Sequence, residues 1–310
     1  MPSVPNQPAL QAASFLKASI VCAGLLVLAQ PVALSVTAAV KAVPVPVKSA
    51  LPTGRVQLKY DILSGCKQLN QQQQFYLTQG VRHIAAVFAT RLDHRVDASR
   101  PVLIRLVCNE SVFKKYQVKQ FGRVFTGAGF YSYTPQKPEV VLLWKFGDQE
   151  LYKGIFHEVT HHFLKVRAGA KGGPDFPFWF NEGVAGYFGN TQPHLNTLKV
   201  QISWRNVNVE KWVRENRFPA FRDLFKLKPE RWASWVYTRE MSESLIHFLM
   251  ESKQGREVIS QLIKDAYGKA DLAQALAKRY PGGLDRLQKD WEAWLKAPRH
   301  QHVWTDLYPA

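Results

Sequence analysis

Five consecutive residues, His157-Glu158-Val159-Thr160-His161, have the types and the spacing that hold and use a divalent metal. On an α-helix each residue turns by about 100°, so four steps return the second imidazole to within about 40° of the first. Both histidines then share one face, one turn apart, and can grip the same zinc ion. Glu158 projects from nearly the same side, placed to act on a water molecule at the metal without being a ligand. The competing reading is a helix whose histidines serve a polar core or face solvent. Downstream, Phe178-Trp179-Phe180-Asn181-Glu182-Gly183-Val184-Ala185-Gly186-Tyr187-Phe188 sets an acid among bulky apolar residues. Burying that carboxylate is costly unless something neutralises it, and a third metal bond would do so. His157, His161 and Glu182 then make a His₂Glu set with an open fourth position, the pattern of catalytic rather than structural zinc.

The pair HEVTHHF and FWFNEGVAGYF resembles the gluzincin class of zinc metallopeptidases, the thermolysin-like MA group, whose second helix supplies a glutamate from an N-E-G-x-A type segment. The likeness is specific over these two motifs and architectural elsewhere. It implies a zincin-like fold, one Zn²⁺, a peptide or protein substrate, His157, His161 and Glu182 as ligands and Glu158 as catalytic acid/base. Related enzymes use a downstream tyrosine to donate to the tetrahedral oxyanion. Tyr237, ahead of a helix expected from about Met241, is the candidate, with Arg239 and His247 next and ordinary packing as the alternative. The segments Gly129–Tyr133 and Val140–Trp144 would bound the cleft and pair with an extended peptide.

Two departures stand out. No G-x-M-E-N segment is present, which favours an endopeptidase over an aminopeptidase. Gly186 stands where thermolysin-like enzymes carry an acid that orients a ligand histidine, so another acceptor is required. His162 points about 100° away from His161 and reads as a supporting or surface residue. Asp175 reads as a turn residue of the Gly/Pro loop.

Several elements must position these groups. Asp148 is expected to cap the helix carrying the pentapeptide, which ends near Val166, with Glu150 in its first turn and Lys165 and Arg167 near its end, as the helix dipole favours. Asn70 to Leu92 repeats Leu77, Val81, Ile84, Phe88 and Leu92 at helical spacing behind a polar glutamine run. Val102–Val107 suits a strand, and the Gly129 and Val140 segments suit a hairpin around Pro135 and Pro138. From Asn181 onward the pattern is mainly helical, closing on the stripe Leu284, Leu287, Trp291 and Leu295. The fold class expected is α+β: a mixed strand and helix part bearing the HExxH helix, then a mostly helical part.

The 310 residues carry 46% hydrophobic and 21% charged residues, which excludes wholesale disorder and a multi-span membrane protein. Residues 1–42 contain no acid, and an apolar run from Ala18 to Ala29 is followed by small residues around Ala38, Ala39 and Ala42. This reads as a signal peptide or, if uncleaved, a membrane anchor, and either exports the chain to a periplasmic or extracellular location. Residues 43–55 are a Pro-rich linker and residues 56–310 the folded domain. The formal charge is +17, or +15 without residues 1–42, a field that suits an acidic envelope surface. Cys66 and Cys108 remain in the exported part, as a disulfide or as two buried thiols. The interleaved Trp and Arg/Lys residues from Trp204 to Trp235 read as a solvated basic face beside buried tryptophans; export argues against nucleic acid. His300 and His302 are expected in a frayed tail. Two rivals to the peptidase stay open: a non-catalytic zincin-fold protein that binds peptides or acidic envelope components, and a basic interaction protein without metal.

Overall fold

The computed structural model describes residues 56–63, 65–97, 101–133, 138–145, 147–170, 172–228, 231, 237–297 and 302–308. The expected targeting segment and linker, Pro135, Trp232, Trp235 and His300 lie outside the described residues. Four strands make the first sheet: β1 (Leu58–Ile62), β2 (Val102–Val107), β3 (Gly129–Ser132) and β4 (Glu139–Leu143), in the order β1-β2-β4-β3. β1 and β4 run parallel to β2, and β3 returns antiparallel to β4 as the expected hairpin. Alternation sorts the two faces. Ile104 and Leu106 lie opposite Val140 and Leu142 in register and all four face the main core. Val107 and Val141 face the other way, against Phe113 of α2 (Glu110–Phe121) and Phe130.

Helix α1 (Gln71–Arg91) starts at a capping box: Asn70 accepts from the Gln73 amide, and the Gln73 side chain accepts from the Asn70 amide, each at 2.8 Å. Its buried stripe of Leu77, Val81, Ile84 and Phe88 joins the main core, with α1 packed beside α3 (Asp148–Lys165). Fully burying such side chains contributes about 1.5–3 kcal/mol each. The cap of α3 differs from expectation: Gly147 holds that position without a side-chain bond, and Asp148 and Glu150 sit inside the first turn. Cys66 and Cys108 are joined in a disulfide with their Cα atoms 5.3 Å apart.

The downstream part is helical as expected, with α4 (Phe178–Gly189), α5 (Trp204–Arg214), α6 (Phe221–Phe225), α7 (Thr238–Glu251), α8 (Lys253–Tyr267), α9 (Leu272–Arg279) and α10 (Gly283–Lys296). It also holds a second sheet that its sequence did not announce, β5 (Thr191–His194), β6 (Thr197–Val200) and β7 (His302–Trp304) in that order. Pro193 is tolerated because β5 is an edge strand. The tail is therefore anchored rather than frayed over 302–308: His302 Nδ1 and Trp304 Nε1 lie 3.0 and 3.1 Å from the Tyr187 hydroxyl. The stripe Leu287, Trp291 and Leu295 of α10 is buried, with Leu284 half-buried beside it. The molecule is α+β. Among the described residues no helix is long and apolar enough to cross a membrane.

Candidate metal centre

Helices α3 and α4 lie side by side, and α4 packs in turn on α7. The second contact is close because Gly183 has no side chain: a Cβ there would come within 2.7 Å of the Ser242 carbonyl oxygen of α7. This packing brings Glu182 of α4 against the two histidines of α3. Their rings stand 4.9 Å apart and nearly perpendicular. His157 Nε2 lies 3.5 Å from Glu182 Oε2, and His161 Nε2 lies 3.5 Å from Glu182 Oε1. One ligand atom from each residue falls within a 4.8 Å span, a set that could hold one metal ion.

A second contact decides which atoms face the centre. His161 Nδ1 lies 3.0 Å from Asn181 Oδ1, an acceptor, so Nδ1 carries the proton and donates. The lone pair of neutral His161 is then on Nε2 and aimed at a carboxylate oxygen. Two acceptors at this separation repel unless a cation or a proton stands between them. Ligands at about 2.0–2.1 Å around a tetrahedral zinc stand about 3.4 Å apart, close to the 3.5 Å of each histidine–glutamate contact, within a set that spans 4.8 Å. Asn181 also answers the requirement left by Gly186: the orienting acceptor for His161 comes from the residue next to the ligand carboxylate.

Burial pushes the Glu158 carboxyl up to about 7, with the Glu182 charge adding to it and His157 opposing. Burial likewise pushes His161 down to about 4. In Glu182 burial is outweighed by the hydrogen bond from His157 and the charges of His161, His157 and Arg239, which hold it well below the usual carboxylate range. Glu158 is 8% exposed, accepts from the Tyr131 amide of β3, and lies over Gly129, where a Cβ would stand 3.1 Å from its Oε1.

The triad opens into a cleft of about 1070 Å³ walled by β3, the end of β4, α3, α4 and the first turns of α5 and α7. The other residues considered from sequence are distributed as follows. Tyr237 stands before α7 with its ring 4.8 Å from Trp212, edge to face, and the cleft wall there is made by Thr238, Arg239 and Glu240 instead. Arg239 Nη2 donates to Glu182 Oε2 at 3.0 Å. The helix begins three residues before Met241, which is why the arginine rather than the tyrosine reaches the cleft. His162 is buried with Nδ1 3.0 Å from the Tyr131 hydroxyl, and His247 is buried 3.3 Å from the Asn206 amide nitrogen. Asp175 is exposed and pairs with Lys165 at 2.8 Å. Trp204 is not buried: it is 61% exposed on the cleft rim, with the Arg205 guanidinium over its ring.

One buried acid in the cleft wall was missed from sequence. Glu243 of α7 is 1% exposed and accepts from the Ser203 hydroxyl, from Asn190 Nδ2 at 3.0 Å and from Arg205 Nη1 at 3.3 Å. It fills the space over Gly186, where a Cβ would lie 2.7 Å from its Oε2. The absence of a side chain at 186 and an acid within the buried run from Met241 to Ile246 were the available signals.

No protein-family model matches the chain. Among known proteins it is similar to "Uncharacterized protein YhcO" of Bacillus subtilis (strain 168), 22% identical over 262 residues spanning 78% of this chain and 75% of that protein.

Proposed function

We propose that the chain is an exported zinc metallopeptidase of gluzincin type with a zincin-like catalytic domain, acting as an endopeptidase on peptide or protein substrates. The observation that carries this reading is the convergence of His157, His161 and Glu182 with two acceptor atoms, one of them the lone pair of His161, facing each other at 3.5 Å. A bound zinc ion would polarise the scissile carbonyl and lower the pKa of water to about 7.

The chain's own groups supply the rest. Glu158 takes the proton from the attacking water as its oxygen bonds to the carbonyl carbon, and returns that proton to the amine nitrogen as the C–N bond breaks. The Tyr131 amide and the bare face of Gly129 fix its carboxylate against the edge strand. β3 is the last strand of its sheet, so its outer edge offers backbone groups to an extended peptide lying along the cleft. The strongly basic charge, +17 or +15 without residues 1–42, supports retention near acidic envelope surfaces once that segment has directed export.

The test is a peptide-library digest by wild type and by Glu158→Gln, with zinc per chain measured on both. The reading predicts internal cuts that a chelator abolishes, and a variant that keeps its zinc and loses cleavage. A wild type that carries zinc, binds peptides and cuts none would instead identify a non-catalytic binding protein.

A further inference from the structure

A metallopeptidase needs a donor opposite the metal for the oxygen that becomes negative when water adds to the carbonyl. Tyr237, the expected donor, packs on Trp212 and does not line the cleft. Several cations do. Arg123 lines it just past the end of α2, where it is exposed and makes none of the triad's contacts; Lys153, Lys165 and Arg205 are committed to Glu150, Asp175 and Glu243, at 3.3, 2.8 and 3.3 Å. Arg239 is different: among the described residues it pairs with the triad carboxylate itself, Nη2 to Glu182 Oε2 at 3.0 Å, and its side chain is 46% exposed toward the cleft. A guanidinium has five N–H donors in a rigid plane, so one bond to Glu182 fixes its orientation while the others remain for a second oxygen.

We propose that Arg239 is a catalytic residue that donates hydrogen bonds to the substrate carbonyl oxygen as it becomes an oxyanion, with Glu182 holding the guanidinium in place. This rests on the metallopeptidase reading and deepens it. As the water oxygen bonds to the carbonyl carbon, the π pair moves onto the carbonyl oxygen and the water proton goes to Glu158. Arg239 stabilises that oxygen without giving up a proton. The pair returns to re-form C=O as the C–N bond breaks and nitrogen takes the proton from Glu158. The arginine therefore favours the tetrahedral state over the bound peptide.

The experiment compares wild type, Arg239→Lys and Arg239→Ala on one cleaved peptide, with zinc per chain measured on each. Affinities are measured for a peptide phosphonate, a tetrahedral anion, and for the parent amide in a Glu158→Gln background. The proposal expects Arg239→Ala to lose about 100-fold or more in kcat, with KM within about 3-fold and zinc retained. Phosphonate affinity should fall with kcat while amide affinity holds, Arg239→Lys should recover part of the rate, and added guanidine should partly rescue the alanine variant. Turnover of Arg239→Ala within about 3-fold of wild type overturns the proposal. So does a zinc content that falls in step with kcat, which would make the arginine only a support for Glu182. Either result leaves the metallopeptidase reading standing. A wild type lacking both zinc and chelator-sensitive cleavage removes that reading and the proposal together.

Discussion

Two acids one helix apart, Glu182 on α4 and Glu243 on α7, are both withdrawn from solvent and are treated in opposite ways. Glu243 is satisfied by protein: a hydroxyl, an amide and a guanidinium converge on it from Ser203, Asn190 and Arg205. Glu182 has the Arg239 guanidinium on one oxygen and, at 3.5 Å, two imidazole nitrogens where closer donors would be expected. A buried carboxylate with a full donor set is structural glue; one that faces the lone pair of His161 is fitted to be a socket for a cation. On the proposed reading, the difference separates the part of the cleft that holds its shape from the part that would do chemistry.

The comparison breaks most visibly at Glu182. Glu182→Gln should abolish both zinc binding and cleavage, because a neutral amide cannot balance the ion or replace a carboxylate ligand; metal analysis and peptide turnover check this. Glu158→Gln should leave one zinc per chain and lower kcat by about 100- to 10,000-fold, the range expected for a lost general acid/base. Glu243→Ala should reverse the pattern. It leaves Arg205 without its carboxylate, and should cost about 3 kcal/mol of unfolding free energy while zinc stoichiometry stays at one. A urea titration reads the first and metal analysis the second. Gly186→Ala sharpens the same point, since its methyl would press on Glu243 Oε2; a loss of about 1–3 kcal/mol is expected.

The smallest effect lies away from both acids and serves as their control. His94 is 1% exposed and donates from Nε2 to the Phe163 carbonyl at 2.7 Å, with Arg167, Asp93 and Tyr267 beside it. Burial pushes it down to about 4 from an ordinary 6.5. The folded state thus resists a proton that the unfolded chain accepts. The stability is complete well above pH 6.5 and is lost progressively as pH falls toward 4, the loss reaching about 1.4 kcal/mol at pH 5.5. Urea midpoints at pH 7.5 and 5.5 should differ less in His94→Gln than in wild type.

The pentapeptide on its helix and Glu182 on the next were readable from the chain because a one-turn spacing and an acid in an apolar run are local signals. So were the α1 stripe and the β3–β4 hairpin. What escaped depends on distant partners. β1 is five residues paired to a strand beginning at Val102, and β5, β6 and β7 are three or four residues each, one containing a proline, held by contacts such as Trp304 on Tyr187. Glu243 could not be assigned before its three donors were assembled around it. Which of Tyr237 and Arg239 lines the cleft turned on where α7 begins, a boundary that sequence patterns place poorly.

The most direct test of the central claim is zinc K-edge X-ray absorption on the purified chain, wild type beside Glu182→Gln, at known metal content. The account predicts one zinc per chain, bound by two imidazoles and oxygen ligands, and a variant in which that signal is gone. A wild type with almost no zinc, or a coordination sphere unchanged by the substitution, would contradict it.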